Sequence, residues 1–221
     1  MAKVRIKFCG MTRVEDALAA AEIGADAIGM VLHANSPRKI DLETAKQILL
    51  ALPPFVTPVG LFVNASAMTM IQIIEELGIR HVQLHGDEPP VAAESLSRSV
   101  VIKAVRVSPK TLKDDLKTWR AVKNLRGVLL ETANTKQPGG SGVVNDWETI
   151  RQHQLAGDFD GLPIIAAGGL ASENVGDVVR LLKPWAVDVS SGIESGPGIK
   201  SREKMDQFVQ QVRNAELSIA S

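Results

Sequence analysis

The residues with chemical potential sit where short apolar runs end. Val4, Ile6 and Phe8 alternate with Arg5, Lys7 and Cys9, so the lysine and the chain's only cysteine share one face of a strand. A free thiol is only about 3% thiolate at pH 7, and a neighbouring cation raises that fraction. Cys9 is therefore a candidate base, helped by Lys7; the plainer reading makes Cys9 inert core and Lys7 half of a buried ion pair. Glu131 ends the run Gly127–Glu131, as an acid or base or as a partner for Lys7 or Lys103. Lys103 and Asp188 can also point inward. Arg38, after Pro37, can grip a carboxylate through two parallel hydrogen bonds, or lie solvated in its loop. His85 ends another short run, where it contacts a ligand or caps the strand. Gly168-Gly169 and Ser191-Gly192 form two turns whose backbone N–H groups and hydroxyls suit a phosphate. His33, His81 and His153 share no metal-ligand spacing, and no phosphate-binding lysine loop or dinucleotide fingerprint occurs, so neither metal nor cofactor is expected.

Such residues need elements to hold them. Apolar or β-branched runs at Val4–Cys9, Asp26–Leu32, Val56–Val63, His81–Leu84, Val100–Val105, Gly127–Glu131, Pro163–Ala167 and Ala186–Ser190 read as strands. Segments with helical spacing follow each one: Val14–Ile23 before Gly24, Asp41–Leu52 with Asp41 as N-cap, Ala67–Leu77 before Gly78, a helix starting near Pro89, Thr111–Arg120, one after Asp146, Ser172–Leu182, and Ser201–Arg213. The tail from about 214 is expected to fray. A loop over Thr132–Asn145 holds Gly139-Gly140-Ser141-Gly142, and loops this long are usually functional or disordered. Eight βα units without a linker or compositional shift predict one (β/α)8 TIM-barrel domain over residues 1–221, with a doubly wound open sheet as runner-up. In a barrel, the strands' C-terminal ends and the loops after them build the active site. That places Cys9, the loop after Leu32, His85, Arg106, Glu131 and both glycine turns together.

The composition narrows the function. The 221 residues carry 25 basic and 25 acidic side chains, which argues against nucleic acid as a partner. Hydrophobic content of 45% with 23% charged residues is the ordinary globular balance. One cysteine cannot form an internal disulfide, which suits a reducing, cytoplasmic setting. Charges interrupt the first apolar stretch, and no run approaches the roughly 20 residues that span a bilayer, so no membrane partner is expected. Monomer and homodimer both stay open.

Lys7-Phe8-Cys9-Gly10-Met11-Thr12-Arg13, Ser36-Pro37-Arg38, Val82-Gln83-Leu84-His85-Gly86, Gly139-Gly140-Ser141-Gly142, Ala167-Gly168-Gly169-Leu170 with Asn174, and Asp188-Val189-Ser190-Ser191-Gly192-Ile193-Glu194 together resemble the phosphoribosylanthranilate isomerase family, in order and over nearly the whole chain. The resemblance implies a (β/α)8 barrel performing the Amadori rearrangement of N-(5-phosphoribosyl)anthranilate in tryptophan biosynthesis, on a phosphosugar substrate and without cofactor. It implies Cys9 as general base, Arg38 on the substrate carboxylate, and Gly168, Gly169, Ser191 and Gly192 on the phosphate. The family's acid is an aspartate at the end of the sixth strand, where this chain has Glu131. That departure keeps an alternative in view, a non-catalytic or impaired phosphosugar-binding barrel. The related histidine-pathway isomerase handles two phosphates and uses aspartate on the first strand, and this sequence matches neither feature.

Overall fold

The computed structural model describes residues 3–131 and 146–220, without the side chains of residues 146 and 220. The glycine-rich stretch Gly139-Gly140-Ser141-Gly142, the rest of the expected 132–145 loop and the capping side chain of Asp146 lie outside the described residues.

Eight parallel strands close into a barrel in sequence order: β1 (Arg5–Cys9), β2 (Ala27–His33), β3 (Thr57–Phe62), β4 (His81–Leu84), β5 (Val100–Arg106), β6 (Leu125–Glu131), β7 (Ile164–Ala167) and β8 (Ala186–Val189). The helices between and after them are α1 (Val14–Ile23), α2 (Leu42–Ala51), α3 (Ala67–Leu77), α4 (Pro90–Ser95), α5 (Leu112–Arg120), α6 (Asp146–Leu155), α7 (Val175–Leu182) and α8 (Arg202–Ala220). The architecture is the (β/α)8 barrel, not the open sheet.

Local chemistry explains several boundaries. Asp41 caps α2 by accepting from Thr44 N at 2.8 Å, as expected, and Ser66 caps α3 through Thr69 N at 3.1 Å. Gly24 ends α1 at φ 100°, a left-handed conformation that favours glycine. The apolar face of α7, including Val175, Val178, Val179 and Leu182, is buried. On α8, Met205, Phe208, Val212 and Ala215 are buried, and the Phe208 ring meets Phe8 edge-on with centroids 6.1 Å apart.

The structure corrects three local expectations and adds a hairpin. Helix α7 begins at Val175, not Ser172, because Asn174 uses its amide to hold the preceding turn: Oδ1 accepts from Ala171 N at 2.9 Å and Nδ2 donates to Gly169 O at 2.8 Å. Helix α8 does not fray at 214. Ala215 packs into the core, while Glu216 accepts from Val4 N and from Arg213 Nη1, tying the last turns to the first strand. Lys103 faces the helix layer rather than the barrel interior, since its neighbours Ile102 and Ala104 belong to the interior cluster with Leu129, Ile165, Ala167 and Ala186. The run Val100–Arg106 is apolar on both faces, so alternation could not orient it. Finally, the strand β8 is followed by a 3-10 turn at Ser191–Ile193 and a small antiparallel hairpin, β9 (Glu194–Gly196) and β10 (Ile199–Lys200), which no periodicity announces.

Candidate active site

Parallel closure of the barrel sets the first contact. Strands β1 and β8 pair with Lys7 opposite Asp188, and the two side chains form an inward ion pair at 2.5 Å, both almost fully buried. Burial opposes the Lys7 charge, but Asp188 and then Cys9 outweigh it, so the ammonium is held above its ordinary range. Burial pushes the Cys9 thiol up, and Lys7 offsets only part of that because Asp188 pushes the same way as burial. Lys7 thus favours the thiolate, as expected, but burial outweighs it and Asp188 works against it. Lys7 does keep a positive charge beside the sulfur, where it stabilises a thiolate once formed.

Room for the thiol comes from Gly29 on β2. A Cβ there would lie 2.7 Å from Cys9 Sγ and 3.0 Å from Lys7 Nζ. The sequence reading passed over Gly29, although a lone glycine within an apolar strand is a recognised mark of close approach.

Arg38 is held from behind. Its Nε and Nη2 donate to the two Glu194 oxygens at 2.7 and 2.6 Å, a bidentate pair, and Lys200 Nζ donates to the same carboxylate at 2.8 Å. The arginine stem crosses Gly10, where a Cβ would come within 2.6 Å of Arg38 Cδ. The side edge of the guanidinium is thus occupied, while its end edge, with one N–H from each Nη, still has the geometry to take a second carboxylate. Glu194 and Lys200 are the partners that sequence reasoning missed as site residues. They reach Arg38 because the hairpin β9–β10 is itself clamped: Thr12 Oγ1 donates to Gly198 O, and Lys200 N donates to Asp16 Oδ2, whose carboxylate also holds Arg13.

Glu131 ends β6 and is bound to neither lysine. Lys103 pairs with Glu88 at 2.9 Å beneath Trp119, and Lys7 pairs with Asp188. The partner of Glu131 is His85, with Nε2 3.4 Å from Oε2. The His85 hydrogen bond holds the carboxyl below its ordinary range against an opposing push from burial, with Arg106 adding a smaller contribution.

The two glycine turns meet backbone to backbone. Gly168 and Gly169 take φ of 91° and 64°. A Cβ on Gly192 would lie 2.0 Å from Leu170 O, so only glycine permits the turn after β8 to press against the turn after β7.

A cavity of about 430 Å³ joins these parts at the strands' C-terminal ends. Cys9, Arg38, His85, Glu131, Gly168, Gly169 and Ser191 all line it. Two expected members do not. Gly192 sits behind the wall as the packing glycine, and Arg106 faces an adjoining cavity of about 590 Å³ that shares His85 and Glu131 with the first. Among the described residues no cluster of His, Cys, Asp and Glu could hold a metal ion.

A carboxylate, a thiol beside an ammonium, an arginine with its end edge open and a glycine-lined turn share one basin. The family model for N-(5'phosphoribosyl)anthranilate (PRA) isomerase matches residues 6–211. An N-(5'-phosphoribosyl)anthranilate isomerase from Pseudomonas putida is 47% identical over 216 residues, covering 97% of this chain and 100% of that one. Its counterpart from Pseudomonas fluorescens is 47% identical, covering 97% and 98%. The crystal structure of phosphoribosyl anthranilate isomerase from Thermotoga maritima superposes with a TM-score of 0.83 at 37% identity, covering 96% of this chain and 99% of that one. A phosphoribosyl anthranilate isomerase in complex with reduced 1-(o-carboxyphenylamino)-1-deoxyribulose 5-phosphate superposes at 0.82 with 35% identity and the same coverage. With the barrel, the basin and relatives matched along almost their full lengths in agreement, the chain belongs to the N-(5'-phosphoribosyl)anthranilate isomerase family.

Proposed function

We propose that the basin carries out the family's Amadori rearrangement as follows, with Glu131 as acid and Cys9 as base. The enzyme is an isomerase of tryptophan biosynthesis acting on N-(5'-phosphoribosyl)anthranilate. The turns at Gly168-Gly169 and Ser191 take the 5'-phosphate, and the end edge of Arg38 takes the anthranilate carboxylate. These two grips orient the sugar between acid and base. The Glu131 side delivers a proton to the furanose ring oxygen. The C1–O bond breaks, its electrons stay on oxygen, and the anthranilate nitrogen's lone pair forms the protonated Schiff base. Cys9 thiolate then takes the C2 proton, the electrons neutralise the nitrogen, and the resulting enolamine tautomerises to the ketone.

One acid and one base suffice, each contributing typically about 10²–10⁴. Glutamate differs from the family's aspartate by one methylene, and near 1 Å of misplacement can cost about a hundredfold. The observation that carries the reading is the lining of one cavity by Cys9, Arg38 and Glu131, with both lysines that could have claimed Glu131 already paired elsewhere. The reading extends to a cytoplasmic enzyme, in keeping with a single buried thiol, that works as a monomer or homodimer; a Thermotoga maritima relative is described as dimeric. The test is turnover: purified protein given freshly made phosphoribosylanthranilate converts it to 1-(2-carboxyphenylamino)-1-deoxyribulose 5-phosphate. A folded protein that binds the substrate and leaves it unchanged beyond the uncatalysed rate contradicts the proposal.

A further inference from the structure

We propose that the acid proton is held jointly by His85 and Glu131, with Gln83 setting which imidazole nitrogen faces the carboxylate. The inference rests on Glu131 as the acid and adds two positioning residues to it. Gln83 is fully buried on β4, and its Nε2 lies 2.6 Å from His85 Nδ1. An amide N–H there requires a lone pair on Nδ1, so the ring's proton sits on Nε2, the nitrogen 3.4 Å from Glu131 Oε2. Gln83 Oε1 is buried without a hydrogen-bond partner among the described residues. It gains a donor if the amide turns over and Nδ1 carries a proton. With Nε2–H still directed at Glu131, that ring is the imidazolium. One orientation of the amide therefore matches the neutral ring and the other matches the ring carrying one more proton.

Adding a proton to the neutral imidazole–carboxylate pair gives either imidazolium with carboxylate or imidazole with carboxylic acid. The two forms have the same composition and interconvert by moving one proton between Nε2 and Oε2. When the ring oxygen of the sugar accepts that proton, the C1–O electrons remain on oxygen and the pair is left as imidazole and carboxylate, ready to be recharged from water. The surroundings suit such a store. Arg106 on β5 stands in register beside Glu131, and β7 offers only Ala167 there. Cys9, Asp188 and Arg38 line the same cavity, with Asp188 and Arg38 each already paired. On the far side of His85, Lys103 and Glu88 neutralise one another, and Asp87 and Asp115 line the adjoining cavity.

The experiment is the pH profile of kcat/KM on phosphoribosylanthranilate for the wild type, His85→Gln and Glu131→Gln, each shown to be folded. The wild type is expected to show a high-pH break, where the pair loses the proton it must donate to the sugar. His85→Gln is expected to move that break to lower pH, toward the range of an unassisted carboxylate, and to lower the rate near neutrality at least about tenfold. A uniform loss at every pH, with the break unmoved, makes His85 merely structural and overturns the proposal, as does an unchanged profile. Wild-type turnover in Glu131→Gln overturns the underlying acid assignment instead. Should His85→Gln not fold, nitrogen NMR of the wild-type ring decides: a neutral ring protonated on Nε2, with a titration step that shifts in Glu131→Gln, supports the pair. A proton on Nδ1 of the neutral ring, or a step indifferent to Glu131, overturns it.

Discussion

At the scale of single residues, the site is a set of charges matched before substrate arrives. Asp188 matches Lys7 and Glu194 matches Arg38, while Glu131 has its hydrogen-bond partner in His85. The consequence for Cys9 is direct: burial holds the thiol up, so it ionises later than an ordinary cysteine. Alkylation of Cys9 by iodoacetamide is therefore expected to keep accelerating with pH beyond the ordinary cysteine range, and a reaction already complete in its pH dependence at neutrality contradicts this. Cys9→Ser is expected to lose at least about a hundredfold in turnover, because a serine hydroxyl is a far poorer base at the same place. Arg38 makes a second prediction. Arg38→Ala should weaken productive binding of phosphoribosylanthranilate, while an analogue lacking the carboxylate should lose little further in that variant. Independent, additive effects in the double-mutant cycle exclude contact between the guanidinium and that carboxylate. Cys9, Arg38 and Glu131 were legible in the sequence because each ends a strand or follows one. The partners were not: Glu194 and Lys200 meet Arg38 through a short hairpin, and His85 meets Glu131 across β5, contacts that only closure of the barrel creates.

At the scale of elements, the turns after β7 and β8 work as one wall. Asn174 pins the first through Gly169 O and Ala171 N, and Gly192 lets the second lie against Leu170. A methyl group at Gly192 meets a backbone oxygen, which cannot move aside as a flexible side chain can. Gly192→Ala is therefore expected to push the turns apart and raise KM for the phosphorylated substrate more than it lowers kcat. Crystals of the wild type soaked in phosphate should hold the anion between Gly168-Gly169 and Ser191, and those of the variant should not. Unchanged KM with the anion still in place removes these turns from phosphate binding. The strands and most helices were readable from alternation, β-branched runs and caps such as Asp41. Orientation of Lys103 was not, since apolar residues flank it on both faces of β5 and only packing against Trp119 and Glu88 settles it.

At the scale of the molecule, the loops at the strands' C-terminal ends are tied down by carboxylates whose ionised form the fold favours. Glu88 is opposed by burial yet held below its ordinary 4.5 by Lys103 and the backbone N–H of Asn64, and Glu194 is likewise opposed by burial and held down by Arg38 and Lys200. A folded-state value below the unfolded one means that the unfolded chain binds more protons as pH falls. Their stabilisation is therefore fully present above the ordinary carboxylate range and lost as pH drops through and below it. Denaturant midpoints are expected to stay level from pH 6 to 8 on this account and to fall below about 4.5, the unperturbed carboxylate range; Glu88→Gln should flatten part of that fall. A midpoint that is independent of pH down to acid unfolding of Glu88→Gln and wild type alike contradicts it.

The central claim is that Glu131 supplies the acid function at the place where the family has aspartate. Glu131→Gln keeps the size and the hydrogen-bonding capacity of the side chain and removes its exchangeable acid proton. The decisive measurement is the turnover of freshly made phosphoribosylanthranilate by wild type and Glu131→Gln at the wild-type pH optimum, with circular dichroism and thermal melting establishing that both are folded. The account predicts a wild type that turns over and a folded variant slowed by at least about a hundredfold. A folded Glu131→Gln that isomerises the substrate at the wild-type rate contradicts it, and would mean that another group delivers the proton.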